Sequence, residues 1–474
     1  MLFNSWTFVW FLILFFIGYW FTFNKTVRLQ NAFIALSSFI FYGWWDVRFL
    51  LLLLLSLIVD FSVGYYLEQT TNLSKRKALL YFSLLFNLGI LALFKYYNFF
   101  AQSTSHFLQL FGFHPDFVTI NIVLPIGISF YTFQSLSYTI EVYRKKLKAT
   151  SDIAAYAAFI SFFPQLVAGP IERAAHMLPQ YYRHRKFNYY KAAVGMRMIL
   201  WGMFKKVVIA DTCAGYANDA FNNYLHRDGL TLIIGAIYFA FQIYGDFSGY
   251  TDIARGLAKL FGFELKVNFL YPYFSKNIAD FWRRWHISLT SWFRDYVYIP
   301  LGGSRQSKAI TIRNTFAVFL VSGLWHGANW TFICWGLLHA LFMLPLLLFN
   351  LTKKPLYTVE TTNKVNWRDI LQIGITFSLA VIAWVFFRAL DIQTAFDYLR
   401  HMLHITVLTL PGKSDAFILV IFLIFIDWIG RKNESAIEGF LQQFPKLKYV
   451  LYLSFGLLIY VNFSRQTSFI YFQF

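Results

Sequence analysis

The chain has 474 residues, of which 58% are hydrophobic and only 14% charged, with a formal net charge of +19. A soluble domain carries about 25% charged residues, so this balance and a mean hydropathy of +0.50 exclude an ordinary soluble protein and predict an all-α polytopic membrane protein. Two cysteines, Cys213 and Cys334, suggest neither a disulfide framework nor a metal site; with no long linker and no repeat, residues 1–474 read as one integral-membrane domain.

In chain order, apolar runs approaching the roughly 20 residues needed to cross a bilayer fall near 3–23, 29–45, 48–67, 78–100 and 120–140. The first has no basic leader and no small-residue cleavage site, so it is expected to be a span rather than a signal peptide. Residues 153–172 are apolar but end in Gly169-Pro170, with basic residues on both sides. They are expected to be re-entrant, which requires protein to cover their backbone. Further runs lie near 192–212, 230–247, 311–328, 330–350, 369–388, 415–430 and 447–463. The count is about 11–12 transmembrane helices, plus re-entrant and interfacial helices.

Basic residues cluster in alternate connections: Lys25 and Arg28; Lys75, Arg76 and Lys77; Arg144, Lys145, Lys146 and Lys148; Arg183, Arg185 and Lys186. Residues 101–121 contain no Lys or Arg. This alternation follows the positive-inside rule and puts the basic loops in the cytoplasm and both termini outside. The charge therefore reads as topology rather than as a nucleic-acid surface, although lipid headgroups or an anionic cytoplasmic substrate could use the same loops.

Residues 248–310 are too polar to cross yet rich in aromatics. In "IADFWRRWHISLTSWF", residues 278–293, Trp282, Trp285, Leu289 and Trp292 recur at helical spacing. The pattern predicts one amphipathic helix lying at the interface, with His286 at the edge of its apolar arc as a packing residue or a chemical one. In "YGDFSGYTDIARG", Asp252 and Arg255 are i,i+3 neighbours and are expected to form a structural ion pair.

"FLVSGLWHGANWTFICWG", residues 319–336, reads as a membrane helix apart from His326. An ionisable group inside a span is expensive and faces a cavity or a partner. Imidazole, ordinarily titrating near pH 6.5, supplies a general base when neutral, and the neighbouring glycines leave room for a substrate. Catalysis or proton transfer stands beside a satisfied hydrogen-bonding role.

The block from Gly245 to Arg305, containing WHIS, followed by "SGLWHGANW", resembles the membrane-bound O-acyltransferase family. The likeness is to its bacterial branch of alginate O-acetylation proteins and peptidoglycan O-acetyltransferases. The resemblance implies an hourglass of helices with a central tunnel, His326 as the catalytic residue and His286 as a second functional position. It implies transfer of an acetyl group from a cytoplasmic thioester, acetyl-CoA or an acyl carrier protein, toward an exported polysaccharide. By the same analogy a secreted or periplasmic SGNH-type O-acetyltransferase is a partner, and the setting is a bacterial inner membrane. Trp325 is expected to shape the tunnel beside His326, and Asn268 to orient a substrate or a histidine; either could instead pack or cap.

The tail "FIYFQF", residues 469–474, lies in the aromatic segment 464–474 expected outside the cell. Tyr471 carries its only hydroxyl, and a phenol with a pKa near 10 is easier to deprotonate than an alcohol. In the related D-alanine-exporting system a separate small protein ends in a similar tail whose tyrosine is proposed to accept the acyl group. Tyr471 is thus a candidate acyl acceptor; an aromatic belt anchoring the last helix is the other reading. The remaining histidines, His401 and His404 among them, read as surface residues. A D-alanyl or lipid acyltransferase of the same family, and a polysaccharide or proton-coupled transporter, are the competing functions.

Overall fold

A computed structural model describes all residues except 116–118, 120–122, 352–364, 407–414, 464–468 and 471–474. Among the described residues every regular element is helical. Five helices are long and apolar enough to cross a membrane: Val47–Gln69, Leu73–Gln109, Gly229–Leu260, Trp330–Leu348 and Trp367–Arg388. The bent pair Ala436–Gln443 and Pro445–Asn462 makes a sixth if it crosses as one. Several other expected spans are helices of 16 or 17 residues: Val27–Gly43, Ile128–Tyr143 and Asp415–Gly430. At 1.5 Å per residue they reach roughly 25 Å, short of the ~30 Å hydrocarbon core. The first helix, Trp6–Ile17, passes into a π-helical turn at Gly18–Thr22. The chain is thus a multi-pass membrane protein, as its apolar helices require.

The chain packs as two compact units, Met1–Gly195 with Leu257–Leu265, and Met196–Gly256 with Lys266–Phe474. In the first unit, residues 155–172 are buried throughout, which is the cover a re-entrant segment needs. Its helix Val47–Gln69 carries Asp60, fully enclosed, whose carboxylate accepts from Ser83 Oγ at 2.5 Å, Asn87 Nδ2 at 2.9 Å and Thr139 Oγ1 at 3.2 Å. Neutral donors from two neighbouring helices let an apolar span hold a carboxylate.

The second unit holds every described residue marked as functional. Two close helix crossings organise it. Gly202, on the helix Tyr189–Met203, and Gly249, on Gly229–Leu260, pack backbone to backbone: a Cβ at Gly249 would meet Gly202 O at 2.7 Å. Lys308–His326 and Trp330–Leu348 form a hairpin in which a Cβ at Gly323 or Gly336 would run into Phe332 O or Phe319 O. Small residues allow such approach where no hydrophobic force drives helices together in lipid. The helix expected over 230–247 continues to Leu260, so the polar segment begins later than its composition suggests.

Candidate functional site

His326 is the last residue of Lys308–His326. Gly327 leaves the helix in an extended conformation, and Asn329 caps the next one by accepting from Thr331 N–H at 3.1 Å. The break between the two helices therefore falls beside the imidazole. Its ring lies edge-on to three aromatic rings: Trp325 at 4.8 Å, Trp335 at 4.9 Å and Phe387 at 5.3 Å between centroids. Only 4% of its surface is exposed.

His286 is placed quite differently from the expectation. The segment 278–293 is two short helices, Ile278–Arg284 and Ile287–Phe293, with the chain turning at Trp285-His286. His286 has φ 43° and ψ 52°, the left-handed region that costs most side chains energy. The single interfacial helix is thus overturned, and with it the position of His286 on the rim of an apolar arc. Phe281, Trp282, Trp285, His286, Leu289 and Trp292 are all buried within the protein, so the helical wheel described a surface that does not exist. The helix breaks because residues 268–270 pair with it: Leu270 N–H donates to Arg284 O at 3.0 Å and Ile287 N–H to Asn268 O at 2.9 Å.

Asn268 fixes the ring. Its Oδ1 accepts from Ser288 N–H at 3.2 Å and Ser288 Oγ at 2.9 Å, and lies 3.1 Å from His286 Nδ1. A backbone N–H only donates, so that Asn atom is the carbonyl oxygen, and His286 Nδ1 must carry the hydrogen. The basic nitrogen is then Nε2. Burial pushes the pKa of His286 down from 6.5 to about 3, so the ring is neutral at physiological pH. Phe247 meets it edge-on at 4.7 Å.

Trp325 stands within ring contact of both histidines, 4.8 Å from His326 and 5.9 Å from His286. A third imidazole joins the cluster. His339, fully buried, lies 4.9 Å from Trp335 and accepts a hydrogen bond from Trp282 Nε1–H at 3.2 Å through Nδ1. Its Nε2 therefore carries the hydrogen. His339 was passed over as one of the surface histidines, and that reading is corrected. The signal was present, since an imidazole one turn beyond Trp335 in an apolar helix is as unusual as His326.

Beside this cluster an open cleft of about 340 Å³, part of it bulk solvent, is lined by Lys205, Asp252, Arg255, Asn268 and Asp427 among others. The cleft reaches Asn268; its lining does not include His326. The expected Asp252–Arg255 pair does not form. Lys205 Nζ instead meets Asp252 at 2.7 Å, and Arg255 meets Glu434 at 2.7 Å. Helix-neighbour spacing lost to Lys205, brought in by the close crossing at Gly202, and to Glu434, which follows the helix Asp415–Gly430. Tyr471 lies outside the described residues, but Phe469 and Ile470 just before it are buried. Ile470 N–H donates to Asp246 Oδ2 at 2.6 Å.

Residues 66–389 match the membrane-bound O-acyltransferase family. The chain is 39% identical over 398 residues to the probable alginate O-acetylase AlgI of Pseudomonas aeruginosa, covering 83% of this chain and 73% of that one. It is 35% identical over 445 residues to the peptidoglycan O-acetyltransferase of Helicobacter pylori, covering 87% and 82%. Against the teichoic acid D-alanyltransferase of Bacillus subtilis identity is 30% over 276 residues, 56% of this chain and 69% of that one. A family match across most of the chain, with WHIS and WHG both inside it, settles the class: this multi-pass membrane enzyme belongs to the membrane-bound O-acyltransferase family.

Proposed function

We propose that the enzyme moves an acetyl group from a cytoplasmic thioester to the outside of a bacterial inner membrane, for O-acetylation of an exported polysaccharide such as alginate or peptidoglycan. The observation that carries this reading is the His326–Trp325–His286 cluster, buried within the family match and assembled from the two motifs shared with acyltransferases. Matches to proteins named O-acetylase and O-acetyltransferase cover 83% and 87% of the chain, against 56% for the D-alanyltransferase, which favours acetyl over D-alanyl transfer.

In this mechanism His326 takes the proton of an acceptor hydroxyl as its oxygen attacks the thioester carbonyl. The thiolate leaves and the proton passes to it, so the imidazole returns to its neutral form. General-base assistance of this kind contributes about 10²–10⁴-fold. Passing only the neutral acetyl group spares the donor's charges a crossing of hydrocarbon. Coenzyme A or an acyl carrier protein delivers the group, and Tyr471 accepts it before a secreted SGNH-type transferase carries it to the glycan. Both termini face outward in this scheme.

Membranes carrying the enzyme, supplied with isotopically labelled acetyl-CoA, test the reading. It expects label in the exported glycan and in the C-terminal peptide, with both lost in His326→Ala. Undiminished glycan acetylation in Tyr471→Phe rules out the tyrosine step, and acetylation unchanged in His326→Ala rules out the base.

A further inference from the structure

Asp246 lies near the middle of the 32-residue helix Gly229–Leu260, a span by length and composition. A carboxylate at such a depth needs a reason. One oxygen, Oδ1, is 3.1 Å from Lys206 Nζ, which also pairs with Asp211 at 2.7 Å. The other, Oδ2, is taken by the backbone N–H of Ile470 at 2.6 Å, in a buried contact between residues 224 positions apart. The tail is held a second time through its preceding side chain. Phe469 packs its ring 5.1 Å from Tyr250 and 5.9 Å from Phe247, and Phe247 is the ring that meets His286 edge-on at 4.7 Å.

We propose that Asp246, braced by Lys206, is a positioning residue that docks the C-terminal tail beside His286. An amide donated to a charged acceptor is a strong, directional hydrogen bond. It reads the main chain rather than a side chain, so it fixes the register of the tail whatever residue stands at 470. Phe469 in its aromatic seat sets the direction, and Tyr471 follows one peptide bond after the anchored amide. An acceptor tethered to an anchored amide reacts intramolecularly, at a high effective concentration. The inference rests on the reading of Tyr471 as acyl acceptor, and it adds the residue that delivers the tail.

Two readouts on the full-length protein separate the claims. In hydrogen–deuterium exchange, the Ile470 amide is expected to be protected in the parent protein. In Asp246→Asn it should exchange at least tenfold faster, while the amides of Gly229–Leu260 remain protected. Acetylation of the C-terminal peptide from acetyl-CoA is then compared in Ile470→Pro and Ile470→Ala. Both shorten the side chain, but only proline removes the N–H; both leave Asp246 and Lys206 in place, and the packing lost at the buried Ile470 is common to the two. The proline variant should fall at least tenfold below the alanine one. An Ile470 amide exchanging freely in the parent, or the two variants acetylated equally where the parent's C-terminal peptide is acetylated, overturns the proposal. The exchange readout involves no acyl transfer. A protected amide released by Asp246→Asn, together with undiminished glycan acetylation in Tyr471→Phe, leaves the anchor standing and removes the acceptor.

Discussion

The two Trp-His dipeptides of the second unit invite comparison. Trp325-His326 closes a helix and Trp285-His286 opens one. His326 is walled by ring edges, and its helix ends by ordinary local means, an extended glycine and an asparagine cap. His286 sits in a left-handed turn that local preference disfavours, held there by Asn268 through three contacts. Strained conformations persist where surrounding structure over-determines them, and they gather at functional sites. One histidine is thus placed by its own segment, and the other by a loop some twenty residues upstream.

On that difference, the variants should fall in order. His326→Ala is expected to lower acetyl transfer by about 10²–10⁴-fold, the range of a lost general base, while thermal unfolding in detergent stays close to the parent. An equal loss of stability would make His326 a packing residue and erase the contrast. Asn268→Ala should act through His286. It strips the acceptor from three buried donors, at about 1–3 kcal/mol for a group left unsatisfied, and lets the imidazole change tautomer. Lower unfolding temperature and lower transfer rate are both expected, with Asn268→Asp, which keeps the acceptor, recovering much of each. Full activity in Asn268→Ala would show that the ring needs no orientation.

Smaller effects sharpen the same comparison. His286 is held to about 3 by burial, below its ordinary 6.5 in the unfolded chain. Between those values the unfolded chain binds a proton that the folded protein does not, so stability contributed above pH 6.5 is lost as pH falls toward 3. Denaturation followed from pH 7 to pH 4 should therefore slope less steeply in His286→Gln than in the parent; parallel curves would place His286 in contact with water. The mildest change is Trp282→Phe, which deletes the donor to His339 Nδ1. A loss of about 1–3 kcal/mol for the one acceptor left unsatisfied, seen as a lower melting temperature with transfer intact, is expected if His339 only braces the aromatic cluster. A large fall in transfer would move His339 into the chemistry.

Much of the fold was legible because its signal is local. Hydrophobic runs announce helices wherever lipid is the solvent, and the observed helices 47–69, 330–348 and 367–388 lie close to the apolar runs read near 48–67, 330–350 and 369–388. His326 was visible for the same reason, as an ionisable residue inside an apolar run. The 278–293 segment misled because a helical repeat of tryptophans looks the same whether the chain stays helical or folds back. Only the pairing of residues 268–270 with 284–287 breaks it. Asp252 and Arg255 misled similarly: the i,i+3 rule ranks neighbours on one helix and cannot weigh Lys205 and Glu434, which arrive from elsewhere.

By itself, then, the sequence determined that this chain is a helical membrane protein, roughly where its helices run, and which two motifs carry acyltransferase character. The helices follow from solvent transfer, which needs no partner, and the character of the motifs is what their resemblance to the family implies. Tertiary structure alone decided which nitrogen of His286 is basic, that His339 belongs to the same aromatic cluster, and that Asp246 receives the tail amide of Ile470. Each of these depends on a hydrogen bond between residues distant along the chain. Such a bond exists only once separate segments of the chain have folded against one another.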